Sequence, residues 1–257
     1  MKMKNVLITG STSGIGLSIA KEFAKSGYNL VFHGLEKDGA EIAAEIGKAN
    51  GIHTFYSPAN LLDPEEISLM VKEASARLGD IDILVNNAGI QYVSPVEDFP
   101  LNKWNDIIGV NLTAAFCTSQ AVWNTMKAQK WGRIINISSA HGLVASENKS
   151  AYVASKHGLI GLTKTLALEG AAFGITANAI CPGFVKTPLV QKQITDLAIQ
   201  QNISEAEIIQ KNILQKHAVK EFVSPAAIAA LALFLASENA SMITGTSMPV
   251  DGGWTAQ

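Results

Sequence analysis

Cysteine is nearly missing from this chain of 257 residues: only Cys117 and Cys181 occur, far apart and without metal-ligand spacing around them. Two isolated thiols build neither a disulfide framework nor a zinc site, so the sequence predicts no metal and a reducing, cytoplasmic setting. Long apolar runs are missing too. The longest, around Ala226 to Ala236, is too short to cross a bilayer, which predicts no membrane partner. The N-terminal MKMKNVLITG is positively charged, but its apolar part is strand-sized and breaks at Thr9-Gly10, unlike a secretory leader. Blocks of one charge do not occur either: 20 basic residues face 22 acidic ones, for a net charge of −2. That balance predicts no nucleic-acid partner and points to a small molecule instead. Neither an internal repeat, nor a linker, nor a low-complexity segment breaks the chain.

What is present is enough apolar material, 47% of residues, to fill one large core, and residues 1–257 are expected to form a single domain. Short apolar runs alternate with helical periodicity. The predicted strands are Asn5 to Ile8, Tyr28 to Phe32, His53 to Tyr56, Asp82 to Val85, Gly132 to Ile137, Thr176 to Ile180 and Ser247 to Val250. Between them the pattern predicts helices over Leu17 to Lys25, Asp38 to Ala49, Pro64 to Leu78, Asn102 to Gln129, Ala151 to Phe173 and Ala226 to Ala236. Asp63 and Gly79 are the expected caps of the third helix. This rhythm calls for an α/β fold, a doubly wound parallel sheet of Rossmann type with helices on both faces. The polar, Gln-rich stretch 188–221 interrupts it after a strand's C-terminal end, where open α/β sheets bind ligands, and is expected to be a helical substrate lid.

Tyr152 and Lys156 lie four residues apart and share one helical face, with Ser139 upstream. A phenol near pKa 10 exchanges protons poorly at neutral pH unless its anion is stabilised, and an ammonium one turn away does that. A three-unit depression would be worth roughly 4 kcal/mol, attainable only where water is partly excluded, so the pair belongs in a cleft. A second signal is the glycine set Gly10, Gly14 and Gly16 between the first strand and helix. Such a turn lets backbone approach a pyrophosphate beside the unpaired N–H groups of a helix start. Its spacing is neither the GxGxxG fingerprint nor a P-loop.

Taken together, these marks resemble the short-chain dehydrogenase/reductase family over nearly the full length: Thr9-Gly10-x-x-x-Gly14-Ile15-Gly16, Asn86-Asn87-Ala88-Gly89, Asn111 in VNLTA, Ser139, Tyr152-x-x-x-Lys156, and Pro182-Gly183 with Thr187. The resemblance implies Tyr152 as general acid/base, Lys156 lowering its pKa and holding the nicotinamide ribose, Ser139 bonding the substrate oxygen and Asn111 completing a proton path through water. It implies a cofactor surface made of Gly10, Thr12, Ser13, Gly14, Ile15, Gly16, Leu35, Asn60, Leu61, Asn87, Ala88, Gly89, Tyr152, Lys156, Pro182, Gly183, Val185 and Thr187. No Arg or Lys stands at Gly34 or Leu35 to neutralise a 2′-phosphate, so NAD is expected, although Lys37 is close. The acidic residue usual in NAD members is missing at Gly34, Glu36 lies two positions on, and backbone groups are the expected readers of the 2′-OH. Asn60 stands where many members carry an Asp facing adenine, and its amide oxygen can accept there.

Around the reacting centre Gln91, His141, Lys149 and Gln193 offer one certain cation, one conditional cation and two amides, a set that suits a short substrate with a carboxylate. Taken alone, Lys149 reads as a solvated loop residue. In combination these residues resemble the D-3-hydroxybutyrate dehydrogenase branch, with its GIQxVxPxEDFP loop at Gly89 to Pro100, SAHGLVAS at Ser139 to Ser146 and PGxVxTPLVxxQI from Pro182 to Ile194. That implies NAD-dependent oxidation of the hydroxy acid to the keto acid, a homotetramer, and Gln91, Ser139, His141, Lys149, Tyr152, Phe184, Gln193 and Trp254 as substrate residues. Phe184 departs from relatives with Trp there: it keeps an aromatic wall and loses the indole donor. Trp254 closes the site from the same or a neighbouring subunit, or is an ordinary core residue. The rivals are a 3-oxoacyl-thioester or other carbonyl reductase using NAD(P)H, with a wide pocket, and a non-catalytic dinucleotide-binding protein.

Overall fold

The structure, a computed structural model, describes residues 3–256. The run Asn5–Ile8 becomes β1, buried along its whole length as a strand covered on both faces must be. Helix α1 (Gly14–Lys25) turns Ile19, Ala20 and Phe23 inward. It starts three residues before the sequence expectation, because the glycines at its first turn carry no periodic apolar signal. There follow β2 (Asn29–His33), α2 (Gly39–Asn50), β3 (Thr54–Ser57) and α3 (Pro64–Leu78). The α3 start matches the expected cap: Asp63 accepts from the N–H of Glu65 at 2.8 Å, and Pro64 fills the first helical position.

After β4 (Ile83–Asn86) the single helix expected over Asn102 to Gln129 is three pieces. Helix α4 (Leu101–Ile108) runs into a wide π turn, Gly109–Thr113, before α5 (Ala114–Gln129). The extra residue of the turn brings Asn111 into the interior, where its amide takes the N–H of Ile90 at 2.8 Å and gives to its C=O at 3.0 Å. A tertiary clamp thus outweighs a regular ladder, and π turns gather at functional sites. The chain continues with β5 (Gly132–Ile137), α6 (Ser150–Gly170), β6 (Ile175–Pro182), α7 (Pro188–Gln201), the short α8 (Glu205–Ile208), α9 (Pro225–Ala236) and β7 (Ser247–Val250).

Among the described residues seven strands form one parallel sheet in the order β3-β2-β1-β4-β5-β6-β7. Alternation along β1 splits the core: Val6 and Ile8 face Ile19, Phe23, Ile228 and Leu235, whereas Leu7 faces Ile67, Met70 and Val122. The order reverses between β1 and β4, which opens a crevice at their C-terminal ends. Residues 188–221 are not polar throughout. Ile194, Ile208, Ile213 and Leu214 from this stretch form an apolar cluster with Ala140, Phe184 and Trp254, so the stretch has a buried apolar side. No helix among the described residues is long and apolar enough to cross a membrane.

Candidate active site

The crevice beside β1 and β4 is a cleft of about 730 Å³. Of the expected cofactor residues, Gly10, Ser13, Gly14, Ile15, Leu35, Asn60, Leu61, Asn87, Ala88, Gly89 and Thr187 line it. Its rim is fastened from both strands: the Thr9 hydroxyl accepts the N–H groups of Asn87 and Ala88, each at 3.0 Å, and Asn87 Nδ2 donates to the Thr9 and Gly10 carbonyls, each at 2.9 Å. Gly10 holds a left-handed φ of 63°. Gly16 sits behind the rim, where a Cβ would run into the Gly10 carbonyl and the Asn87 amide. Thr12 also lies behind it, bonded to Glu36. Tyr152, Lys156, Pro182, Gly183 and Val185 do not line this cleft. A bare-backbone turn ahead of a helix start, in an open cleft of this size, fits a dinucleotide's pyrophosphate and adenosine.

Two features at the adenosine end were not legible as sequence. His33 is buried, and its Nδ1 accepts from Gly10 N–H at 3.0 Å while Nε2 reaches the Ala59 carbonyl at 2.9 Å. Burial pushes its pKa down, so the ring stays neutral and fixes the glycine turn. The missing acidic residue at Gly34 has a steric cause: a Cβ there would meet the Thr12 hydroxyl. Glu36 takes its place, accepting from Thr12 Oγ1 and, at 2.9 Å, from Ser13 Oγ. Burial alone would raise this carboxyl, but the hydrogen bonds from Thr12, the backbone and Ser13 outweigh it and hold the pKa below the usual range. The Glu36 carboxylate therefore stands at this rim, two positions beyond Gly34. Asn60 also lines the cleft, although its Oδ1 already accepts from Leu62 N–H at 3.0 Å.

The second group sits at the mouth of β5 and the start of α6. Lys156 is buried, donates from Nζ to the Ile137 carbonyl at 2.8 Å and lies 5.7 Å from the Tyr152 ring centroid. Burial brings this lysine down to about 8. The expected depression of Tyr152 by Lys156 is not the balance found. Burial pushes the phenol up, and only its hydrogen bond with Ser139 acts in the other direction. Both N–H groups of the Asn111 amide are committed, to Ile90 O and to Ser155 Oγ at 3.2 Å, so a proton path cannot use them as donors. A Cβ on Gly89 would stand 3.4 Å from Asn111 Oδ1 and 3.6 Å from Lys156 Nζ, which places the Asn-Asn-Ala-Gly loop against both.

The expected substrate residues come together in two sets. His141 is 5.9 Å from Tyr152, 6.5 Å from Phe184 and 4.8 Å from Trp254, ring to ring, and Phe184 stacks on Trp254 at 5.3 Å. Lys149 lies 5.6 Å from the Phe184 ring. Gln91 Nε2 donates to Gln193 Oε1 at 3.4 Å, bridging the loop after β4 to α7. Lys149 is buried, not solvated, and burial together with the Lys216 charge lowers it to about 8. His141 is no conditional cation. Burial, then the charges of Lys149, Lys216 and His157, bring it down to about 3. Trp254 is buried in an apolar cluster with Phe184 and packs edge-on against His141. A residue missed entirely is His217, fully buried, whose Nε2 accepts from Phe184 N–H at 3.1 Å and thereby holds the wall that the aromatic ring forms. Among the described residues no cluster of His, Cys, Asp or Glu could hold a metal.

Comparison with known proteins accords with this geometry. A family model described as short chain dehydrogenase matches residues 4–198. A protein of Rhizobium meliloti (strain 1021) named D-beta-hydroxybutyrate dehydrogenase is 49% identical, covering 99% of each chain. One of the same name from Cupriavidus necator is 50% identical over 99% of this chain and 98% of its own. Among solved structures, a variant of actinorhodin polyketide ketoreductase with NADPH superposes with a TM-score of 0.93 at 31% identity, over 99% of this chain and 98% of that one.

Proposed function

The chain belongs to the short chain dehydrogenase family and is an oxidoreductase, and on that footing we propose that it oxidises D-3-hydroxybutyrate to acetoacetate with NAD. The observation that carries the substrate is Lys149. A buried ammonium needs an anionic partner to offset its desolvation, and this one lies 5.6 Å from the ring of Phe184, which stacks on Trp254. A short carboxylate with an apolar methyl end meets both demands. Gln91 and Gln193 supply further polar contacts, and His141 a neutral ring beside Tyr152. A wide acyl-thioester channel has no use for the buried cation. NAD rather than NADP is supported by Glu36, whose charge at the cleft's rim repels a 2′-phosphate.

NAD, when bound, would supply the acceptor for the hydride leaving C3. Tyr152 Oη takes the proton from the substrate hydroxyl, and Ser139 Oγ orients that oxygen. The Lys156 ammonium, mostly charged at neutral pH, stabilises the phenolate and holds the nicotinamide ribose. Asn111 keeps the Ile90 backbone, and with it the neighbouring Gly89, in place. Gly10 to Gly16, Asn87 to Gly89 and the Pro182 to Thr187 segment hold the dinucleotide. Residues 188–221 act as the lid: Gln193 and Ile194 reach the pocket from α7, and Thr187, at its start, packs 3.5 Å from a Cβ position on Gly14. Residues 1–257 work as one domain in this reading. Exposed Phe116 on α5 and Leu168 on α6 provide apolar surface for a homotetramer, and the free thiols suit a cytoplasmic enzyme. The test is initial rates for D- and L-3-hydroxybutyrate with NAD and NADP. The D-isomer with NAD should be fastest; faster turnover of 3-oxoacyl thioesters with NADPH would overturn the assignment.

A further inference from the structure

The loop between Ser139 and Tyr152 is tied to the helical cap through Ser146 and Lys216, two side chains with no part in the chemistry above. Lys216, in the tight turn Leu214–Lys216, donates from Nζ to Ser146 Oγ at 2.7 Å, and that oxygen stands 2.8 Å from His141 Nε2. Lys216 also lies 5.1 Å from the Trp254 ring, the ring that packs edge-on against His141 at 4.8 Å. An ammonium has only donors and a hydroxyl has one hydrogen. With an oxygen lone pair engaged by Lys216, the Ser146 hydrogen is the group free to turn toward His141, which gives Nε2 the acceptor role. The opposite tautomer would make Ser146 Oγ accept twice and turn its hydrogen away from the ring, to solvent.

We propose that Lys216 is a positioning residue: through Ser146 it fixes His141 as the tautomer protonated on Nδ1, so the pocket presents a neutral N–H donor to an acceptor oxygen of the substrate. The substrate part of this inference rests on the hydroxy-acid reading; the tautomer part does not. Neutral imidazole is also what burial and two nearby lysines enforce, since they bring the ring down to about 3. The device makes a donor in the pocket conditional on the cap, because Lys216 comes from residues 188–221 and His141 from the loop beneath. A histidine held by a loop alone would exchange tautomers freely.

The experiment uses the full chain labelled with 15N-histidine, with the ring nitrogens of His141 read by long-range 1H–15N correlation and assigned by their disappearance in His141→Gln. The unmodified protein should carry its proton on Nδ1. Ser146→Ala and Lys216→Met should move His141 toward a mixture of tautomers. In the same variants KM for D-3-hydroxybutyrate should rise about threefold to tenfold, the weight of one neutral hydrogen bond, with kcat changed less. NAD affinity, measured by binding, should stay unchanged and shows that each variant is folded. Lys216→Arg, which keeps a charged donor, should restore the tautomer. A proton on Nε2 in the unmodified protein, or an unaltered tautomer in both variants, would overturn the proposal. Because the tautomer is read without substrate, failure of the hydroxy-acid reading appears separately, as absent turnover in the unmodified enzyme.

Discussion

Lys149 gives the substrate reading a pH signature. Its pKa of about 8 means that the ammonium, present below that value, is lost as pH rises through it. A carboxylate binds the charged form, so binding raises the lysine's pKa and weakens by about a decade per pH unit above 8. Butyrate, which has the substrate's carboxylate but no hydroxyl to oxidise, is the probe, measured as a competitive inhibitor against D-3-hydroxybutyrate. Between pH 7 and 9 the charged fraction falls from about ten-elevenths to one-eleventh, so Ki should rise about tenfold. Lys149→Met, which keeps the apolar stem beside Phe184, should raise Ki at pH 7 by about tenfold or more, since a charge-assisted hydrogen bond is worth about 1.5 to 3 kcal/mol. In that variant the slope should flatten. His141, down at about 3, does not titrate in this range; any residual slope belongs to Lys156, which also titrates near 8. A Ki that is flat from pH 7 to 9 in the unmodified enzyme, or equally steep without Lys149, would refute the reasoning.

Glu36→Gln keeps a partner for Thr12 and Ser13 but removes the charge, and NADP should then bind roughly tenfold tighter while NAD affinity barely moves, read by fluorescence titration. Gly16→Ala puts a methyl into the Gly10 carbonyl, where backbone must shift; dinucleotide affinity should fall by at least about tenfold, with a lower Tm in thermal melts. Asp63→Ala removes the acceptor for two N–H groups at the start of α3 and should cost about 1 kcal/mol of unfolding free energy in urea, with no change in KM.

Most of the fold was written in local pattern. Asp63 with Pro64 and Gly79 marks both ends of α3 because capping is a short-range event, and the bounds of β1, β5 and β7 follow their apolar runs. The π turn at Gly109–Thr113 was hidden because its cause, the clamp between Asn111 and Ile90, lies 21 residues away along the chain. Separations of 23 and 33 residues hid His33 and His217, whose neighbours are backbone groups of Gly10 and Phe184 that no periodicity announces. A histidine closing the otherwise apolar run Leu30–Phe32 was the one clue to the former. The site residues were named from motif order, yet their charge states were not legible. Burial, which sequence does not state, neutralises His141, lowers Lys149 and raises Tyr152 against the expected influence of Lys156.

The claim that the rest depends on is that the Tyr152 phenol carries the substrate's proton, and the most direct measurement is turnover of D-3-hydroxybutyrate by Tyr152→Phe beside its affinity for NAD. Loss of the single hydroxyl should lower kcat by about 10²–10⁴-fold, the range of a lost general acid/base, while NAD binds within about twofold of the unmodified enzyme. A variant that keeps kcat within tenfold would contradict the account.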